Sequence, residues 1–300
     1  MNYLTIYAII KHTDFEARRR AMSENDVLLP EDYTDPKCPF CTEQFEKEPP
    51  VHSIPVDRVL GKLDEHLGAN HYVEAERHLL YWLEEAKAGH DKRGEFMIRN
   101  ELMGLYRKRG RKNKALENAK EAIDLIAAMQ IEGSIGAGTA YVNAATVYKA
   151  FGNPEGAMPL FEKAREIYEK ELKEGDGRLG SLYNNMALAL ADLKRYPEAN
   201  DYYRRAVEVM GKVENGALEQ AITYLNMANA AEAERGLEDA AEDIAEYLDR
   251  AEALLETPTV PRNGYYAFVC DKCSSTFGYY GRFLYEQQLK ERAKNIYEGA

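Results

Sequence analysis

Two cysteine pairs carry the residue types best suited to metal or thiol chemistry. Cys38 and Cys41 lie in KCPFCTEQ, and Cys270 and Cys273 lie in YYAFVCDKCSSTFGYYGRFLYEQQL. Two thiolates on a tight turn present sulfur at the spacing of a tetrahedral zinc site, although the first pair has Thr42 where such turns commonly carry glycine. The second pair lies three residues apart in a predicted helix and so shares one of its faces. Together the pairs would supply four thiolates to one zinc ion, and the alternative is that they are buried as small apolar side chains.

Histidine does not complete a local metal site. All six histidines lie at or before His90, so His52 is the nearest candidate third ligand for the first pair. The gap from Cys41 to His52 matches no common zinc finger. We therefore expect no obligatory cofactor, with zinc at the cysteines as the alternative.

Motifs for catalysis and phosphate binding are absent from the sequence. It contains no GxxxxGK[ST] loop, no HExxH and no GxSxG, each of which needs particular residues at fixed spacing. The segment EGSIGAGTA is rich in glycine, but no lysine follows it, and we interpret Ser134 as a helix N-cap. The 51 Asp and Glu residues are interpreted as solvent faces of amphipathic helices. We therefore predict no catalytic residues and no enzyme activity.

Composition argues against other classes of protein. The chain carries a formal net charge of -12 with a pI near 5.2, so the basic footprint of a nucleic-acid binder is missing. No apolar run approaches the roughly 18 residues that a membrane span needs, and Met1 to Ile10 lacks a basic leader and a cleavage site. We expect a soluble, cytoplasmic protein with reduced thiols, which binds neither nucleic acid nor membrane.

The elements that would position functional residues repeat along the chain. Four stretches align as helix, turn and helix: LMGLYRKRGRKNKALENAKEAI, ATVYKAFGNPEGAMPLFEKAREI, LALADLKRYPEANDYYRRAVEV and AEAERGLEDAAEDIAEYLDRAEAL. The turn position holds Gly110, Gly152, Lys194 and Gly236, and the position five places later holds Ala115, Ala157, Ala199 and Ala241. Within each series the number of residues from one position to the next, here called the step, is constant, and it is the same in both series. Glycine permits a tight turn, alanine permits close approach of the second helix to the first, and Asn153-Pro154 is typical of a helix start.

These stretches resemble tetratricopeptide repeats, in particular the 42-residue variety of kinesin light chain, whose units are similar to LYNNMALALADLKRYPEANDYYRRAVEV. The resemblance covers about Val56 to Ala300. It implies an all-α superhelix in which the eight residues beyond the usual 34 lengthen the helices by about one turn each. The sequence departs from the pattern at Lys194, which replaces the turn glycine, and at Glu232, which replaces an aromatic residue.

The repeat predicts about six hairpins, with units near 56–90, 91–132, 133–174, 175–215, 216–257 and 258–300. The first is a weaker unit centred on Asn70 and Ala75. In the last, we expect a first helix lengthened by roughly ten residues, as befits an atypical capping repeat, and a short second helix ending in NIYEGA. Residues 1–55 hold six of the eleven prolines. We expect them to form a partly ordered arm over the first hairpin, with Thr5 to Ile10 as a strand or a helical turn.

In stacked hairpins the first helix of each unit lines the concave surface, and asparagine recurs there. The recurring residues are Asn100, Asn143, Asn185 and Asn226, which follow one another at nearly the same interval as the turn residues. Asparagine is a mediocre helix former, about 0.5 to 0.7 kcal/mol worse than alanine, so its recurrence predicts a compensating interaction. Its amide can pair with both the N–H and the C=O of an extended ligand, as in peptide-binding tetratricopeptide proteins. The alternative is a hydrogen bond to the neighbouring helix or to water.

Charged residues near the asparagines are expected to set ligand specificity. They are Arg99, Arg107, Lys149, Asp192 and Glu232, so the groove is expected to run from basic to acidic. An acidic end of a ligand would then lie towards the N-terminal half, where arginine can hold a carboxylate with two hydrogen bonds. The aromatic residues of the first helices are assigned to packing between helices, and they are Tyr106, Tyr148, Tyr183 and Tyr224.

These features predict a non-enzymatic scaffold or adaptor that binds a protein or peptide in the concave groove. The alternative is a regulator whose solenoid changes shape when a peptide or zinc binds, as in quorum-sensing receptors with tetratricopeptide units. The Pro-rich segment 1–55 does not suit the output domain that such receptors generally carry. A homodimer through a solenoid end or the Cys270 helix is left open. The two cysteine pairs lie tens of ångströms apart in a stacked solenoid and would meet only through a folded-back arm or a dimer.

Overall fold

The computed structural model describes residues 52–299, which form twelve α-helices. Their bounds are α1 (Val56–Gly68), α2 (Tyr72–Ala88), α3 (Lys92–Lys108), α4 (Lys112–Met129), α5 (Ile135–Ala150), α6 (Pro154–Glu171), α7 (Gly177–Asp192), α8 (Tyr196–Gly211), α9 (Ala217–Arg235), α10 (Ala241–Leu255), α11 (Gly264–Tyr279) and α12 (Phe283–Gly299). Among these helices none combines the length and the apolar character needed to cross a bilayer. The predicted all-α fold is confirmed, whereas the expectations for Thr5 to Ile10 and for most of the N-terminal arm fall outside residues 52–299.

The helices form successive hairpins within two compact units, which divide inside α6 between Ile167 and Tyr168. In the N-terminal unit α3 packs on α4, and α3 also contacts α5, the first helix of the next hairpin. In the C-terminal unit α9 packs on α10 and contacts both α7 and α11. First helices are therefore neighbours within each unit, which is the arrangement of an α–α solenoid.

Every hairpin turn contains a residue with positive φ. A residue with positive φ, between 57° and 85°, follows the first helix of every hairpin, and these residues are Asn70, Gly110, Gly152, Lys194, Gly236 and Gly281. At Gly110 the turn is closed by the Arg111 N–H, which donates to the carbonyl of Tyr106 at 2.8 Å. Left-handed residues end helices in this way because they return backbone N–H groups to the last carbonyls. The turn positions predicted from the repeat are thus confirmed, and at Lys194 the conformation is adopted by a residue with a side chain.

The alanines that follow the turns are buried, with one exception. Ala75, Ala115, Ala157 and Ala199 have no exposed surface. Ala241 is exposed, and the preceding Ala240 is fully buried in its place. The prediction for Ala241 was wrong because an irregular turn, Leu237 to Ala240, separates α9 from α10 and moves the buried position by one residue.

The last hairpin also differs from expectation. The first helix, α11, ends at Tyr279 after 16 residues, and α12 continues for 17 residues from Phe283. Gly281, with φ 84°, interrupts the stretch that was predicted as one long helix. The lengthened first helix and short second helix were therefore wrong, and two helices of similar length close the described chain.

Side-chain caps begin several helices as the sequence indicates. Ser134 Oγ accepts from the Ala137 N–H at 3.1 Å, and Asn153 Oδ1 accepts from the Gly156 N–H at 2.9 Å, so both predicted N-caps are confirmed. Asp91 caps α3 and also accepts from the Ile54 N–H at 2.9 Å. The chain before α1 is thus held against the start of α3, with Ile54 buried.

Candidate peptide-binding surface

Two asparagines face each other on the first helices of the N-terminal unit. Asn143 on α5 donates from Nδ2 to Oδ1 of Asn100 on α3 at 3.1 Å. Asn100 donates from its own Nδ2 to the Phe96 carbonyl, one turn earlier in α3, at 2.8 Å. Two of the predicted ladder residues are therefore brought together by direct contact between neighbouring first helices.

These contacts determine the orientation of both amides. The Phe96 carbonyl can only accept, so the Asn100 group that faces it is the NH2 group and the group that faces Asn143 is Oδ1. Asn143 must then present its NH2 group to Asn100, which leaves Asn143 Oδ1 as the remaining acceptor. Asn143 is only 9% exposed, and this oxygen has no hydrogen-bond partner within residues 52–299. A buried acceptor without a donor costs about 1 to 3 kcal/mol, and because this oxygen has almost no solvent-accessible surface, an external N–H group reaches it only after the side chains around it move.

A second asparagine pair lies in the C-terminal unit. Asn226 on α9 donates from Nδ2 to Oδ1 of Asn184 on α7 at 3.0 Å. The sequence pattern had pointed to Asn185, but the structure brings its neighbour, Asn184, into the pair. Asn184 and Asn226 lie 42 residues apart, whereas the Asn100–Asn143 pair spans 43, so the repeat interval alone does not distinguish Asn184 from Asn185. The donor comes from the later helix in both pairs.

Arg99 has a different role from the predicted carboxylate clamp. Its side chain is only 6% exposed and contacts Glu95 on α3 at 2.5 Å, together with Glu121 on α4. It also donates to Asn118 Oδ1, on α4, at 3.3 Å. The guanidinium is thus directed at the second helix of its own hairpin and neutralised there, so Arg99 joins α3 to α4 and is removed from the ligand-contact set.

The other predicted specificity residues differ in exposure. Arg107 and Lys149 are half-buried near the C-terminal ends of α3 and α5, and Asp192, the last residue of α7, is exposed.

Glu232 belongs to a polar cluster between α9 and the end of α11. Its carboxylate accepts from the Tyr279 hydroxyl at 2.6 Å and from the Tyr280 hydroxyl at 2.8 Å, and Tyr280 also contacts Asn229 Oδ1 at 3.1 Å. Burial raises the pKa of Tyr280, and the hydrogen bond to the Glu232 carboxylate raises it further. Both phenols therefore stay protonated and act as donors. Glu232, which replaces the aromatic residue of the repeat pattern, is the acceptor of this cluster.

The predicted zinc site is described only in part. Cys38 and Cys41 lie outside residues 52–299, while Cys270 and Cys273 are free thiols buried in α11. Burial raises the pKa of Cys270, and it raises that of Cys273 to about 12, so both are held as thiols. Within the described range no group of three or more His, Cys, Asp or Glu side chains is placed to hold a metal ion.

Comparison with known proteins shows what these hairpins are similar to. A family described as tetratricopeptide repeat matches residues 138–176 and 179–215. Among solved structures, the chain is similar to BtubC (BKLC) from P. vanneervenii, with a TM-score of 0.58 and 22% identity over 66% of this chain and 79% of that one. At this identity the likeness is one of fold.

Two further solved structures are similar at lower scores. One contains the nearly identical TPR-like repeats of a Podosopora anserina protein described as a kinesin light chain, with a TM-score of 0.47 and 18% identity over 66% of this chain and 92% of that one. The other is a Rap protein complexed with Competence and Sporulation Factor, with a TM-score of 0.47 and 14% identity over 79% and 73% of the two chains. No curated protein matches the sequence.

Proposed function

We propose that this chain, a tetratricopeptide repeat protein, is a non-enzymatic cytoplasmic adaptor that binds an extended polypeptide on the surface formed by its first helices. Tetratricopeptide repeats commonly mediate contacts between proteins, and the fold leaves a surface of adjacent first helices in each unit. The observation that carries the proposal is the buried, unpartnered Oδ1 of Asn143 beside Asn100.

A backbone N–H of the ligand would satisfy this oxygen once the side chains that cover it move aside. Every residue except proline offers such a donor, so the contact captures main chain without selecting a side chain. Binding would also remove the desolvation penalty of the orphan acceptor, which makes the contact more favourable than an ordinary exchange with water. The asparagine therefore provides affinity, and specificity must come from neighbouring residues.

The spacing of the helices suits an extended ligand. Packed helices lie about 8 to 10 Å apart, and an extended chain advances about 3.3 Å per residue. A ligand crossing α3 and α5 would therefore advance by about three residues from one first helix to the next, and a new N–H group would face each helix. In the C-terminal unit the Asn184–Asn226 pair offers the same type of contact. Arg107 and Lys149, half-buried near the C-terminal ends of α3 and α5, are the candidates for selecting an acidic ligand residue.

The test begins with peptides selected from a random library on the full chain. Their affinities are then measured for the wild type, for Asn143→Ala, and for Asn200→Ala as a matched control on the second helix α8. We expect Asn143→Ala to weaken binding about tenfold, which is the effect of one lost hydrogen bond of about 1.4 kcal/mol. The control should bind as the wild type does.

Methylation of single ligand amides identifies the contact itself. One methylated position should weaken binding to the wild type and have no further effect on Asn143→Ala, since both changes remove the same hydrogen bond. If Asn143→Ala and Asn200→Ala bind the selected peptides equally, the first-helix surface is not the binding site. A ligand-dependent change in the scattering radius would instead favour the regulator that changes shape on binding.

A further inference from the structure

A strongly basic segment lies at the turn between α3 and α4. Residues 107–114, here called the basic turn, read RKRGRKNK and contain six cationic side chains in a chain of net charge -12. Such a concentration is not explained by overall composition. It forms one exposed patch, since residues 108 and 110–114 are all exposed.

Intramolecular partners neutralise only part of this patch. Glu76 on α2 contacts Arg109 at 2.8 Å and Lys114 at 2.7 Å. The Lys108 ammonium lies 4.5 Å from the centre of the Tyr72 ring, and Lys112 reaches only the Phe151 carbonyl, at 3.4 Å. No carboxylate of residues 52–299 contacts Lys108, Arg111 or Lys112, so three neighbouring cations are left for an external anion.

The position of these cations works against the local helix. Arg111 occupies the N-cap position of α4 and makes no side-chain cap, and the first turn of α4 contains no acidic residue. The N-terminal end of a helix is the positive end of its dipole, so cations there are unfavourable. Acidic residues at these positions would stabilise α4. Because the cations do not, we attribute the basic turn to binding.

An acidic counterpart occupies the same repeat position three units later. The turn glycine Gly236 corresponds to Gly110, and residues 237–242, here called the acidic turn, include Glu238, Asp239 and Glu242. All three acidic residues are exposed, and within the described range no cation contacts them. Leu237, which directly precedes Glu238, is an apolar side chain and is 55% exposed.

We propose that the basic turn of one copy of this chain binds the acidic turn of a second copy. The basic turn contains an open depression of about 300 Å³ lined by Arg111, Lys112, Asn113 and Lys114. The aliphatic stems of such residues cover apolar partners while their charges stay in water, so the depression suits Leu237. Glu238, Asp239 and Glu242 then face Lys108, Arg111 and Lys112.

The patch is a better match to this partner than to nucleic acid. It is confined to one turn, whereas the turn after α7 mixes Asp192, Lys194, Arg195 and Glu198. Nucleic-acid affinity grows with the number of neutralised phosphates along a track. One turn against one turn buries less than the roughly 1,000 Å² typical of stable complexes, so the association should be weak and sensitive to salt.

The experiment uses charge reversal in the full chain and measures mass by sedimentation velocity up to about 200 µM. The basic-reversed variant is Lys108→Glu/Arg111→Glu/Lys112→Glu, and the acid-reversed variant is Glu238→Lys/Asp239→Lys/Glu242→Lys. A control with the same change in net charge as the basic-reversed variant, Lys120→Glu/Lys173→Glu/Arg205→Glu, reverses exposed cations outside both turns. Circular dichroism checks that each variant keeps its helicity.

The wild type and the control should associate with rising concentration at about 50 mM salt and dissociate at about 500 mM, where screening shortens the reach of surface charges. Each reversed variant alone should stay monomeric at least tenfold higher in concentration. A mixture of the two reversed variants should associate again, because each then supplies the charge that the other lacks. A wild type that remains monomeric throughout, or a mixture that fails to associate, would overturn the proposal. Retention of a short DNA duplex by the wild type but not by the basic-reversed variant, without self-association, would assign the patch to nucleic acid instead.

Discussion

Asn226 donates its side-chain N–H to Oδ1 of Asn184, which lies one repeat earlier on the neighbouring first helix. The hydrogen bond therefore links equivalent positions of consecutive repeats. The Asn100–Asn143 pair has the same direction, from the later helix to the earlier one. In the Asn100–Asn143 pair the Oδ1 of the later asparagine has no hydrogen-bond partner within residues 52–299.

The first prediction concerns the energetic coupling within the C-terminal pair. Asn184→Ala and Asn226→Ala should show a coupling free energy of about 0.5 to 1.5 kcal/mol in urea unfolding, the net value of one intramolecular hydrogen bond. Asn185→Ala combined with Asn226→Ala should be additive within about 0.5 kcal/mol, since these side chains do not form the pair. Equal coupling in both cycles would contradict the assignment of Asn184.

The second prediction concerns Arg99. Replacing it with alanine leaves Glu95 without its 2.5 Å ion pair and removes a cation from Glu121. We expect the unfolding free energy to fall by about 3 kcal/mol, the lower end for breaking a buried pair, because Glu121 is 40% exposed. Replacement of the half-buried Arg107 should have a much smaller effect on urea unfolding. If the loss of unfolding free energy for Arg99→Ala were as small as the loss expected at Arg107, Arg99 would not be a structural residue.

The third prediction concerns the thiols of α11. Because burial raises the pKa of Cys273 to about 12, thiolate is scarce at neutral pH, and thiolate is the reactive form. In a Cys38→Ser/Cys41→Ser variant, alkylation at pH 8 should proceed at least tenfold more slowly in native protein than in urea. Zinc added at stoichiometric amounts should not change the native rate. Rapid native labelling of Cys273 would show that the helix does not bury it.

The fourth prediction concerns the start of α7. Asp176 caps this helix and contacts Arg178 at 2.6 Å. Burial by itself would raise the pKa of Asp176, but the Arg178 hydrogen bonds and charge outweigh it and hold that pKa below 3.8. A lowered folded-state pKa means that the stabilisation is present above about pH 4 and lost as pH falls through the folded value.

Asp176→Ala should therefore lower the unfolding free energy by about 1 kcal/mol at pH 7, as expected for a lost N-cap, and by less at pH 3. Asp176→Asn, which retains an efficient cap, separates the two contributions: its difference from the wild type should shrink as pH falls. A loss of unfolding free energy in Asp176→Ala that is independent of pH would assign the effect to capping alone.

Much of the fold follows from the constant step of the repeat. Glycine at 110, 152 and 236 marks turns because left-handed backbone strongly favours it, and the buried alanines mark the closest helix contacts. The constant step predicted Ala241, not Ala240, as the buried alanine. An irregular turn shifts the register by one residue there, and both positions hold alanine, so the residue type gave no warning. Gly281 was likewise hidden among aromatic residues that suit a continuous helix.

The candidate surface was less accessible to sequence reasoning. Adjacent helical residues point about 100° apart, so choosing between Asn184 and Asn185 required a register accurate to one residue. The role of Arg99 depended on Glu121 of another helix, a contact that spacing within α3 does not reveal. Charge at a first helix is thus a poor guide to ligand contact until its neighbours are known.

The left-handed residue after each first helix has a consequence for how such a chain can change in length. Each hairpin turn carries a residue with positive φ after its first helix, so a segment running from one turn to the corresponding point of the next forms one structural block. Recombination that adds or removes one block would leave every remaining turn intact and add or subtract one first helix. The number of first helices is therefore open to change in whole steps, without redesign of the core.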